Sequence, residues 1–169
     1  MPKKSYIENP KRFLLVRTDR VGDTILTLPT VTTLRKKYPN AFISFLAHPY
    51  TAPLIKQYEG INLLLTFEPE GRHRGWKGIV KLVDQLRNLN FDVALLFYPR
   101  PELAFALRLA KIPVRISTGF RWYSFLMNKH VYEHRKNCLK HESEYNLSLI
   151  NSILPEQSKK PEYKFKKWN

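Results

Sequence analysis

Four ionisable side chains crowd the stretch Arg17-Thr18-Asp19-Arg20-Val21-Gly22-Asp23. It lies between an apolar run at 13–16 and a run in which Ile25, Leu28 and Val31 fall at helical spacing. A strand that passes into a helix through one glycine puts Asp23 at the carboxyl end of that strand, where open α/β sheets present their ligands. A carboxylate there has two uses. It can take the proton of a bound hydroxyl as that oxygen attacks an electrophile, or it can cap the helix. Arg17 and Arg20, beside backbone N–H groups, suit recognition of phosphate or carboxylate. The structural alternative is a local ion pair of either arginine with Asp19. Neither GxGxxG nor GxxxxGKS/T occurs, so dinucleotide and P-loop readings lack their backbone cradles.

Other groupings are weaker. Gly71-Arg72-His73-Arg74-Gly75-Trp76-Lys77-Gly78 is a glycine-spaced basic loop that opens a helix. It reads as an anion clamp or flap, or as a solvated loop. His130, His134 and Cys138 recur every four residues, but Val131 and Tyr132 favour a strand and no carboxylate completes a metal set. Lys140-His141-Glu142 precedes the last helix, with Glu142 placed to favour the helix dipole and Lys140 or His141 to touch a ligand.

These residues need a scaffold. Apolar runs with little alternation at 13–17, 42–47, 63–67 and 92–97 predict buried parallel strands, and 114–118 and 130–133 are further strand candidates. Between them, 23–37, 50–58, 76–88 and 101–110 predict helices, and 141–153 a last one. Pro29 inside the first predicts a kink or a later start. The alternation implies an α/β fold, a Rossmann-like and mostly parallel sheet with helices on both faces. Residues 155–169 turn polar and read as a basic linker or an extended strand with nothing to pack against.

The 169 residues suit one domain with a core, and 43% hydrophobic content excludes a disordered chain. No apolar run approaches the ~20 residues that span a bilayer, and the first ten residues lack a signal-peptide pattern. The cytoplasm is therefore the expected compartment. Cys138 is the only cysteine, so neither an internal disulfide nor a cysteine-built metal cage forms. With 29 Lys and Arg against 14 Asp and Glu the net charge is +15, which favours anionic partners. Sequence-specific nucleic-acid binding has no reading element, because most aromatics fall in predicted core runs.

Several of these pieces together resemble glycosyltransferase family nine, the lipopolysaccharide heptosyltransferases. The opening motif 17–23 is followed by Leu26-Thr27-Leu28-Pro29, Leu34-Arg35, and Tyr38-Pro39-Asn40-Ala41. Phe91-Asp92-Val93-Ala94-Leu95, Ile112-Pro113-Val114-Arg115-Ile116, Lys140-His141-Glu142 and Asn146-Leu147 then match in order. The resemblance covers residues 13–153 and implies the N-terminal half of a two-domain GT-B fold. It further implies inverting, metal-free transfer of a heptose from ADP-heptose onto the anionic inner core of lipopolysaccharide. Asp23 would be the general base; Arg17, Thr18 and Arg20 would line the acceptor side, with Lys140 and His141 near the cleft. The acceptor also implies peripheral contact with the inner-membrane surface.

The same resemblance sets the domain expectation: acceptor-binding domain at 1–154, linker at 155–169, and no donor-binding C-terminal domain. No cofactor is expected, since ADP-heptose would bind the missing half. A partner chain is one way to supply it. Alone, the chain would be an inactive half-enzyme, or a non-catalytic module that binds anionic glycolipid or a membrane surface.

Overall fold

Phe13, Leu14, Leu15 and Val16 are fully buried in succession, so the strand that carries them must be covered on both faces. In the computed structural model, which describes residues 9–118, 122–131, 142–153 and 164–165, this is β1 (Arg12–Arg17). It lies at the centre of a six-stranded sheet with β2 (Phe42–Ala47), β3 (Leu63–Thr66), β4 (Val93–Leu96), β5 (Val114–Thr118) and β6 (Lys129–Val131). The order is β3-β2-β1-β4-β5-β6, and every pairing between these strands is parallel. Phe13 stands opposite Ile43 on one side and Val93 on the other.

Alternate residues of β1 feed separate cores. Leu14 and Val16 join Leu46, Ala94 and Leu96 beneath α4 (Gly75–Asn88), α5 (Pro101–Leu109) and a 3-10 turn at Trp122–Leu126. Phe13 and Leu15 join Phe45, Leu95 and Ile116 beneath α2 (Pro29–Lys37) and α6 (Glu142–Asn151). The chain runs outward from β1 to β3, then α4 carries it back across to β4. The connections therefore diverge between β1 and β4, and the carboxyl ends of these strands form the switch-point crevice.

The predicted helix 23–37 is two helices. α1 (Val21–Thr27) ends at Leu28, and Pro29 opens α2. Proline has no N–H to continue the ladder and fits a first helical position. Threonine hydroxyls bond carbonyls around the break: Thr27 donates to Asp23 at 2.8 Å, Thr30 to Thr27 at 2.6 Å and Thr33 to Pro29 at 3.1 Å. The predicted helix 50–58 shortens to α3 (Ala52–Lys56), because Tyr58 is drawn into the core and its hydroxyl meets Thr32 at 2.8 Å.

Two matched motifs serve the scaffold. Arg35 donates to the carbonyls of Pro39, Ala41 and Gly60 and to Asn62 Oδ1 at 2.7–2.8 Å, tying α2 to the segments that lead into β2 and β3. Asp92 accepts the backbone N–H groups of Lys11 and Arg12 at 2.7 and 2.9 Å, setting β4 against the start of β1. Residues 164 and 165 do find a partner, contrary to the expectation for this tail. Lys164 N–H donates to the Tyr58 hydroxyl at 3.0 Å, and Phe165 pairs with Tyr58 in an isolated antiparallel bridge. Other residues of the predicted linker lie outside those described, and among the described residues no helix is long and apolar enough to cross a membrane.

Candidate functional site

β1 ends at Arg17, and the chain turns through Thr18, Asp19 and Arg20 before α1 begins at Val21. Arg20 occupies the N-cap in extended backbone (φ −77°, ψ 156°), with no side-chain cap bond. Asp23 is therefore not the cap: it lies in the first turn of α1. Its carboxylate stands 3.4 Å from Arg17 Nη2 and its side chain is 33% exposed. The carboxylate is held at the rim of the sheet and open to solvent.

Arg17 is placed inward, with only 2% of its side chain exposed. Nε and Nη2 donate to the two oxygens of Asp19 at 2.6 and 2.9 Å. Nη1 donates to Asn146 Oδ1 at 3.3 Å, and the Asn146 amide donates to Leu26 O and Thr27 Oγ1, each at 3.2 Å. The fork thus joins the end of β1, the turn, α1 and α6. The resemblance placed Arg17 on the acceptor side; here the local ion pair with Asp19 is the arrangement adopted, and Arg17 positions Asp23 from beneath.

Beside this turn is a cleft of about 730 Å³ at the carboxyl ends of β1 to β4, with Thr18, Arg20, His48, Tyr50 and Arg100 in its lining. Arg20 is exposed. Thr18 is 4% exposed, and its hydroxyl has no hydrogen-bond partner among the described residues, which suits a polar ligand group. Asp23 flanks the cleft without being part of its lining. Sequence reasoning missed His48, Tyr50 and Arg100. Their signal was position: each follows the carboxyl end of a strand, and the sheet order brings those ends beside β1. Arg100 lies over the Phe67 ring at 5.8 Å and 3.9 Å from Glu102, so it supplies a partly offset positive charge. Lys140 and His141 lie outside the described residues.

The glycine-spaced loop is built around a buried histidine, 3% exposed. His73 Nδ1 accepts the Glu68 N–H at 3.0 Å and its ring stacks on Phe67. Gly75 adopts φ +63°, and a Cβ on Gly78 would sit 2.2 Å from the His73 carbonyl carbon, which explains both glycines. Burial pushes the His73 pKa below its usual value, aided by Arg72 and Lys81 and opposed by Glu68. A histidine lowered in the folded state is protonated first in the unfolded chain. Its stabilisation is therefore complete above about pH 6.5 and is lost as pH falls further. The gap in urea midpoint between the native chain and His73→Gln should narrow as pH falls below about 6.5; a pH-independent gap would refute this.

His130 bonds through Nε2 with the Ser124 carbonyl at 2.7 Å, while His134 and Cys138 lie outside the described residues. Among the described residues no three His, Cys, Asp or Glu side chains gather as a metal site.

No protein-family model matches the chain. Curated relatives do. A protein of Haemophilus influenzae provisionally named a glycosyltransferase is 23% identical over 85% of this chain and 41% of its own length. Lipopolysaccharide heptosyltransferase 3 of Escherichia coli is 29% identical over 57% of this chain and 28% of its own. Among solved structures, a glycosyltransferase family 9 protein from Veillonella parvula superposes with a TM-score of 0.84 at 17% identity, over 97% of this chain and 48% of that one. Heptosyltransferase II of E. coli gives 0.72 at 21% identity, over 92% and 47%. The resemblance read from the sequence is thus borne out by homologues that carry these names. The fold is that of one half of a heptosyltransferase structure, and the chain spans half or less of the relatives it matches.

Proposed function

We propose that this chain is the acceptor-binding half of a glycosyltransferase that transfers a heptose from ADP-heptose to the anionic core of lipopolysaccharide. The observation that carries the reading is Asp23: a partly exposed carboxylate at the carboxyl end of the central strand, held by a buried arginine beside a polar cleft whose lining sets Arg20 and Arg100 among Asp19, Glu70 and Glu102. Relatives named as heptosyltransferases supply the reaction class.

The cleft binds the acceptor, with Arg20 and Arg100 facing phosphate or carboxylate groups and the Thr18 hydroxyl making a neutral hydrogen bond. The acceptor hydroxyl approaches the anomeric carbon of the donor from the face opposite its diphosphate. As the new carbon–oxygen bond forms, Asp23 takes the hydroxyl proton, and the broken anomeric bond leaves its electron pair on ADP. Attack from the opposite face inverts the anomeric centre. Arg17 keeps Asp23 aimed before the step.

The donor half lies outside these 169 residues, in a continuation of the same polypeptide or in a partner chain. Acceptor binding needs only the present chain. Calorimetry with lipid-free phosphorylated core oligosaccharide should show binding that weakens roughly tenfold for Arg20→Ala and again for Arg100→Ala, the scale of one charged hydrogen bond each. Unchanged affinity in both variants would remove the cleft from the acceptor site.

A further inference from the structure

α4, α5 and the 3-10 turn at Trp122–Leu126 cover the same face of the sheet, since all three contribute to one core. Their outward side is unusually apolar. Trp76, Trp122 and Phe125 are 67%, 74% and 69% exposed, with Val80, Phe105 and Leu109 also exposed. Trp76 and Val80 are one turn apart on α4, as are Phe105 and Leu109 on α5, so each helix presents a stripe. Trp76 and Phe105 line a hollow of about 440 Å³ between the two helices. The hollow shares Pro69 and Glu102 with the lining of the acceptor cleft, so the face adjoins the cleft mouth.

Charge accompanies the aromatics. Arg74, Lys77, Lys81, Arg108 and Lys111 are exposed on or beside the same helices, against Asp84 and Glu102, in a chain of net charge +15. A rigid surface that interleaves tryptophan and phenylalanine with Lys and Arg matches the interface of an anionic bilayer: rings enter at headgroup depth and the cations meet lipid phosphates. A second copy of the chain fits worse, because the two basic faces would repel.

We infer that the face formed by α4, α5 and the Trp122–Leu126 turn docks on an anionic lipid bilayer. It rests on the acceptor reading in one respect: docking there brings the cleft mouth alongside a membrane-anchored acceptor. The surface itself needs no glycan.

Sedimentation with vesicles of equimolar phosphatidylglycerol and phosphatidylcholine tests this. The protein should pellet with these vesicles, not with pure phosphatidylcholine, and release as salt rises. Trp122→Ser with Phe125→Ser should weaken partitioning roughly tenfold or more, and Lys77→Glu with Lys81→Glu by a similar factor. All four positions are exposed, so circular dichroism should be unchanged. Failure to pellet with anionic vesicles, or equal partitioning by both variants, would overturn the inference. So would a dimer in the native chain that the Trp122 and Phe125 changes abolish. The lipid-free oligosaccharide assay separates the two readings: if vesicle binding persists without glycan binding, the acceptor site fails and the docking face stands.

Discussion

Transfer by the donor-complemented enzyme should fall roughly 10²–10⁴-fold on Asp23→Ala, the range expected for removal of a general base, with acceptor affinity little changed. Stability should shift by no more than about 1 kcal/mol, because Asp23 is partly solvated and the buried arginine keeps a second carboxylate. The geometry gives both halves of that expectation. The Asp23 carboxylate is one-third exposed, 3.4 Å from Arg17, and Arg17 keeps its two bonds to Asp19 when Asp23 is gone. Asp23→Asn should be as inactive as the alanine variant, because an amide keeps the shape and cannot take the proton. Single-turnover kinetics at saturating acceptor, alongside urea unfolding, would check both. Activity of Asp23→Asn within a few fold of the native enzyme would leave Asp23 only a structural part.

Much of this was legible in the chain, and the reason differs by element. The strands at 13–17 and 42–47 announce themselves because a strand buried on both faces cannot alternate polar with apolar residues. The break at Pro29 was legible because proline lacks a donor, whatever its surroundings. The short α3 was not: Tyr58 reads as the end of a helix until its hydroxyl finds Thr32 from another element. The 3-10 turn at Trp122–Leu126 carries too few residues for a period to show.

The site divides in the same way. The position of Asp23 follows from local sequence, since a strand passing into a helix determines it, although the bend runs through Thr18, Asp19 and Arg20 and the expected turn glycine, Gly22, is already inside α1. The local pairing of Arg17 with Asp19 does too, but its contact with Asn146 does not, because that residue is 129 positions away. His48 and Arg100 become neighbours of β1 only once the sheet order β2-β1-β4 is known, and alternating strands and helices fit more than one order. The opening motif also has two jobs that sequence could not separate. Arg17 and Asp19 build the platform, whereas Arg20 and Asp23 face solvent on it.

That division predicts a large stability effect. Arg17→Met should destabilise the fold by about 3–5 kcal/mol, the cost of removing one partner from a buried ion pair. Asp19, whose side chain is 10% exposed, would lose both its charged donors. Asn146 Oδ1 would lose its bond to Nη1, loosening α6 from the end of β1. Arg17→Lys should recover little of the loss, because an ammonium cannot span two carboxylate oxygens and an amide with one planar fork. Arg20→Met is the internal control: its side chain is exposed on the same turn, and its replacement should move the unfolding midpoint by about 0.5 kcal/mol at most. Urea unfolding of the three variants reads all of this directly. Equal midpoints for Arg17→Met and Arg20→Met would mean that the buried fork contributes nothing to the fold, and the account of how Asp23 is aimed would go with it.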